Sequence, residues 1–124
     1  MENIKIKFFT KNFNKIILDC EVAKSFNEKA NGLMYRKYLD ENNGMFFPFF
    51  FSWHRFFWMK NVKIPLDIIF VNRKLKIIAI FEAPVEKKSL KKIYWSHGFC
   101  KYVIECNMGF CKKNNITIND IIKI

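Results

Sequence analysis

Apolar residues in this chain come in short runs closed by turn signals, and that spacing constrains the fold more than any other feature. Ile4, Ile6 and Phe8 alternate with Lys5 and Lys7, the two-residue period of a strand with one buried face. Lys15–Val22 is a second β-like run. Leu66–Val71 and residues 75–81 flank Asn72-Arg73-Lys74 and read as a hairpin. Residues 102–106 are a further strand candidate, and residues 116–124 alternate as a last one. Helical signals are confined to two places. Ser25 or Asn27 caps a short helix from Glu28 to about Tyr35, interrupted at Gly32, and residues 108–113 make one helical turn. Asp40-Glu41-Asn42-Asn43-Gly44 is a turn, and residues 84–92 form a polar loop around Ser89. The longest apolar stretch, residues 45–53, is far short of the roughly 20 residues that a membrane-spanning helix needs. No linker or repeat divides the 124 residues. The expectation is one mainly β domain over residues 1–124, a compact antiparallel β-sandwich or barrel-like fold with one or two short helices.

The net charge is +11, which raises a nucleic-acid or anionic-surface reading. Of the 22 basic residues only Arg36, Arg55 and Arg73 are arginines, whereas specific phosphate and base contacts favour the planar guanidinium fork. Lys, Ile, Asn and Phe, all encoded by A+T-rich codons, fill about half of the chain. A lysine-rich solvated surface therefore explains the charge, and no specific nucleic-acid partner is expected. Cys20, Cys100, Cys106 and Cys111 form no C-x-x-C motif. His97 beside Cys100 suggests a His–Cys cluster with Cys106 and Cys111, but strand alternation works against convergence, so buried free thiols are expected and no metal or other cofactor. Met34, Met45, Met59 and Met108 suit Cu(I) in principle and core filling in practice. The first residues show no continuous apolar segment and no small-residue cleavage site, which points to the cytoplasm.

Three segments occur together. The first is Gly32-Leu33-Met34-Tyr35-Arg36, then Leu39, then Gly44-Met45-Phe46. The second is Phe57-Trp58-Met59-Lys60-Asn61, then Ile64-Pro65-Leu66-Asp67-Ile68-Ile69-Phe70. The third is Tyr102-Val103-Ile104-Glu105, then Gly109, then Asp120. In order and spacing, over about residues 16–124, they resemble domain-of-unknown-function family 192. The resemblance implies a compact, mainly β domain and no particular activity. Many members of that family carry an export signal or lipid anchor, and none is visible here. Three positions depart from the family pattern. Its usual Gly near Lys74 is missing, its Gly before Asp120 is Asn119, and its Thr after Trp-Met-Lys-Asn is Val62. Asn tolerates the left-handed backbone that Gly adopts, so the second change is mild.

Asp67 and Glu105 each interrupt an apolar run, and a buried carboxylate needs a partner. Arg36 is the expected partner, with Lys60 and Asn61 as further donors. The functional reading is a polar pocket floored by Trp58, with Arg36, Lys60, Asn61, Asp67 and Glu105 as ligand-binding candidates for a small polar ligand such as a sugar or an acid. The structural reading is a buried polar network that fixes strand register. No nucleophile–base pair or phosphate-cradling loop is visible, so a non-enzymatic binding or accessory domain is expected. A hydrolase-like enzyme using Asp67 and Glu105 as acid and base is the alternative. A third reading starts from residues 46–58, where nine of thirteen positions are aromatic. Phe50, Phe51, Trp53 and Arg55 would form an exposed loop that docks on a protein partner or a membrane surface. A monomer is expected in each case.

Overall fold

Two faces of one curled sheet build this molecule, and each face has its own apolar core. The computed structural model describes residues 1–87 and 91–124. The elements run β1 (Asn3–Phe9), β2 (Lys15–Val22), α1 (Phe26–Asn31), β3 (Asn43–Trp53), β4 (Phe56–Trp58) and β5 (Leu66–Val71). They continue β6 (Ile77–Ala83), β7 (Ile93–Trp95), β8 (Cys100–Asn107), α2 (Phe110–Lys113) and β9 (Ile121–Lys123). Seven strands form the main sheet in the order β6-β5-β8-β3-β2-β1-β9, and β4 and β7 form a separate ribbon. Every pairing is antiparallel except β2 with β3. The sheet is a half-barrel whose far edges meet. Lys76 bridges Ile121, and the Ile77 amide donates to the Asp120 carbonyl at 2.9 Å.

Strand periodicity sorts the side chains. On β5, Leu66, Ile68 and Phe70 face one core while Ile69 and Val71 face the other. The inner core also takes Ile6 and Phe8 from β1, Leu18 and Cys20 from β2, and Ile104 and Cys106 from β8. The outer core covers β3, β5 and β8 with Leu33, Leu39, Met59, Val62 and Tyr94. A strand covered on both faces has no polar side to show, which is why β5 is apolar at every position but Asp67.

Several local expectations hold. Ser25 caps α1, and its side chain and that of Glu28 satisfy each other's backbone amides. The 72–76 turn closes around Asn72, whose side-chain oxygen accepts from the Lys74 and Lys76 amides. Asn119 is left-handed at φ 79°, as the missing Gly implies. At the other departure Leu75 takes the left-handed turn, at φ 66°. Three expectations change. The first helix ends at Asn31, because Gly32 turns the chain at φ 48°. Residues 116–120 are not strand: the Thr117 amide donates to Asp120 Oδ2 at 2.8 Å in a turn, and only Ile121–Lys123 pairs. Residues 50–53 belong to the long strand β3 rather than to a loop. Ser89 lies outside the described residues.

Candidate functional site

β3, β5 and β8 place one carboxyl on the outer face of the sheet. Met45, Glu105 and Ile68 sit opposite one another across the three strands. Residues directly opposed on paired strands share a face, so Glu105 points into the outer core. Asp67 pairs with Cys106, one position along, and therefore points to the inner face.

A cavity of about 670 Å³ lies between this face and the flap formed by α1 and the β3–β4 turn. Leu33, Met34, Phe47, Phe49, Phe57 and Val62 make its walls. Phe26, Phe50, Phe51, Phe56 and Trp58 stand exposed at its mouth, with Lys29 and Arg55 beside them. Glu105 is its buried acid, 3 % exposed. Gly32 completes the cavity. A Cβ there would stand 3.6 Å from Glu105 Oε1 and 3.5 Å from the Phe47 ring, so glycine leaves room in front of the carboxyl. Burial alone pushes Glu105 up to about 8; no cation and no donor offsets it among the described residues. His54 also borders the cavity, and its Nδ1 is buried without a hydrogen-bond partner among those residues.

Of the expected ligand-binding residues the structure brings Trp58 and Glu105 to this cavity and sends Arg36, Lys60, Asn61 and Asp67 elsewhere; Phe50, Phe51 and Arg55 of the expected docking loop also border it. Trp58 stands half-exposed at the mouth rather than on the floor. The Lys60 ammonium lies 5.5 Å from the Trp58 ring centre. Asn61 ties Tyr35 down, accepting its amide at 2.8 Å and donating to its hydroxyl at 2.9 Å. Arg36 makes a two-pronged ion pair with Glu21, not with Asp67 or Glu105. Asp67 accepts from the amides of Gly109 at 3.3 Å and Cys111 at 3.0 Å, which fixes α2 against β5. Its pKa is still raised, since burial outweighs these two bonds. The acid–base pair of the hydrolase reading is thus not formed: the sheet separates Asp67 from Glu105. The expected polar ring is replaced by an aromatic chamber with one acid. The wall residues Phe47, Phe49 and Phe57 carried no signal of their own, because an aromatic residue in a strand reads first as core.

The cysteines do not converge with His97. Cys100 lies in the outer core, and Cys20, Cys106 and Cys111 lie in the inner one. All four are buried free thiols, and no group of metal-ligating side chains occurs among the described residues.

A family model of domain-of-unknown-function family 192, described as "Uncharacterized ACR", matches residues 8–124. The chain belongs to this family. Two solved structures share its fold. One is a protein from Sinorhizobium meliloti 1021 described as a candidate transcription regulator, with a TM-score of 0.92 and 27% identity over 98% of this chain and 93% of that one. The other is a protein of unknown function from Novosphingobium aromaticivorans DSM 12444, with a TM-score of 0.90 and 27% identity over 98% of this chain and 85% of that one. No curated protein matches. The family 192 fold is therefore mainly β in this chain, and neither the family nor these two structures supplies an established activity. No helix among the described residues is long and apolar enough to cross a membrane.

Proposed function

We propose that this family 192 protein is a binding module whose ligand enters the aromatic chamber and presents a protonated amine to Glu105. One observation supports this reading above others: a carboxyl only 3 % exposed, with no partner among the described residues, faces an open cavity. Burying a carboxylate alone is strongly unfavourable, so burial holds Glu105 largely protonated at neutral pH. An ammonium ion would take that proton's place. The Phe47 and Phe57 rings supply the negative faces that attract such a cation in a desolvated site, while Arg55 already lies 4.0 Å from the centre of the Phe49 ring. Lys29 and Arg55 at the mouth favour a ligand whose other end is neutral or anionic.

The candidate-regulator description of the S. meliloti protein suggests nucleic-acid binding as another reading. Helices of six and four residues are, among the described residues, too short to serve as a recognition helix in a major groove, so the chamber is preferred.

The test compares 2-phenylethylamine and longer arylalkylamines with the matching alcohols, by calorimetry, on wild type and Glu105→Gln. The amines bind wild type, lose at least about tenfold in affinity on the variant, and bind more tightly as the pH rises toward 8. Equal binding of amine and alcohol, or an affinity that falls as the pH rises, would overturn the ammonium assignment.

A further inference from the structure

The chamber does not account for the aromatic surface around it. Phe50 is 97% exposed, Phe56 64%, Phe99 57% and Trp53 55%. All of these but Phe50 join into a connected surface through Trp95 and His54. Trp53 stacks on Phe99 at 5.6 Å, Phe56 stacks on Trp95 at 6.2 Å, and His54 lies within 6.0 Å of both Trp95 and Phe99. Monomers rarely leave so many large rings together in water without a partner for them.

Charge follows the same segments. Residues 42–66 and 87–104 carry eight of the 22 basic residues and none of the 11 acidic ones. Several of these cations lie against rings: Arg55 is 5.2 Å from Phe51, Lys60 is 5.5 Å from Trp58, and Lys92 is 5.2 Å from Tyr94. Lys101 follows Cys100, which pairs with Trp53. Four acids bound these segments in sequence: Glu41 pairs with Lys113, Asp67 accepts from the Gly109 and Cys111 amides, Glu86 accepts from the Lys92 amide, and Glu105 is buried in the chamber.

We propose that this aromatic edge, formed by the end of β3, the β4–β7 ribbon and Phe99, docks on the surface of an anionic lipid bilayer. Trp and Phe settle at the boundary between headgroups and acyl chains, and surrounding lysines pair with anionic headgroups. Single-stranded nucleic acid fits less well. Two of the ring pairs are already engaged with each other in offset stacks at interplanar angles of 17°, and Arg55 is bound to the carbonyls of Phe51 and Cys100. The chamber mouth shares Phe50, Phe51 and Phe56 with this edge, so docking would turn the opening toward the lipid.

The experiment measures partition of the whole protein onto vesicles of phosphatidylcholine alone and of phosphatidylcholine with phosphatidylglycerol, with brominated acyl chains as tryptophan quenchers. The wild type binds the anionic vesicles, and its tryptophan emission is quenched. A Trp53→Ser, Phe56→Ser, Phe99→Ser variant, shown folded by circular dichroism, loses quenching and at least about tenfold in partition. A Lys60→Glu, Lys92→Glu, Lys101→Glu variant loses about a hundredfold with its aromatic surface intact. Absence of binding to anionic vesicles would overturn the proposal. So would binding without quenching, which means adsorption by lysines alone, and so would tighter binding to a single-stranded oligonucleotide lost in the same variants. Amine binding in the chamber is read separately in solution, so either proposal can fail without the other.

Discussion

Glu105 weakens the folded state that contains it. Its carboxyl sits at about 8 against an ordinary 4.5, so between these values the folded chain keeps a proton that the unfolded chain has released. Its contribution to stability is present in full below about pH 4.5 and is lost as the pH rises through 8. Urea unfolding should therefore find Glu105→Gln more stable than wild type by about 2–4 kcal/mol at pH 9, with the two converging near pH 4. Superimposable curves at every pH would mean that water reaches the carboxyl freely. A residue that lowers stability where a glutamine would not is a candidate for function. Asp67 is the opposite case. Its two amide bonds hold α2 on β5, and Asp67→Ala should lose about 2–4 kcal/mol at pH 7, with Asp67→Asn losing less because its amide oxygen keeps an acceptor. A neutral Asp67→Ala would show that α2 finds other acceptors.

At the scale of single elements, β3 organises the molecule. It pairs with β2 on one side and β8 on the other, and its far end becomes the flap over the chamber. Gly44 makes the first part possible. A Cβ there would stand 2.5 Å from the Glu105 carbonyl oxygen and 2.9 Å from Leu18 Cδ2, and the first of these is backbone that cannot swing aside. Gly44→Ala should cost about 1–3 kcal/mol in thermal or urea unfolding and should disturb Glu105 itself. Gly109→Ala meets nothing within 4 Å, and its penalty comes from the positive φ of 96° alone. If Gly44→Ala proves the milder of the two, the close approach of β3 to β8 is looser than described.

Across the whole molecule, curling places three thiols inside the barrel. Cys20 is pushed up to about 12 by burial, with Asp19 and Glu21 adding to it, and Cys106 and Cys111 are raised by the same cause. Cys100, in the outer core, is pushed up to about 11. Buried neutral thiols react slowly, so a thiol reagent at pH 8 should label none of the four in the native protein and all four in denaturant. Rapid labelling of one thiol under native conditions would reveal local opening, and the edge where β9 meets Lys76 is the place to look first.

Strand periods, the Ser25 cap and the turn at Asn72 were legible in the sequence because each depends on a few adjacent residues, and the left-handed Asn119 followed from the family resemblance, which places Gly there. Asp67 and Glu105 were legible as acids in apolar runs, and Phe50, Phe51 and Trp53 as a dense aromatic segment. Their destinations were not. Whether Asp67 meets Arg36 or the Gly109 and Cys111 amides depends on strand register between β5 and β8 and on where α2 lands. Whether Phe57 lines a wall and Phe56 faces solvent depends on the ribbon that β7 completes from nearly forty residues away. Local chemistry specifies the elements. Pairing across long stretches of chain decides which face each side chain takes, and one step of register carried the two carboxyls to opposite sides of the sheet.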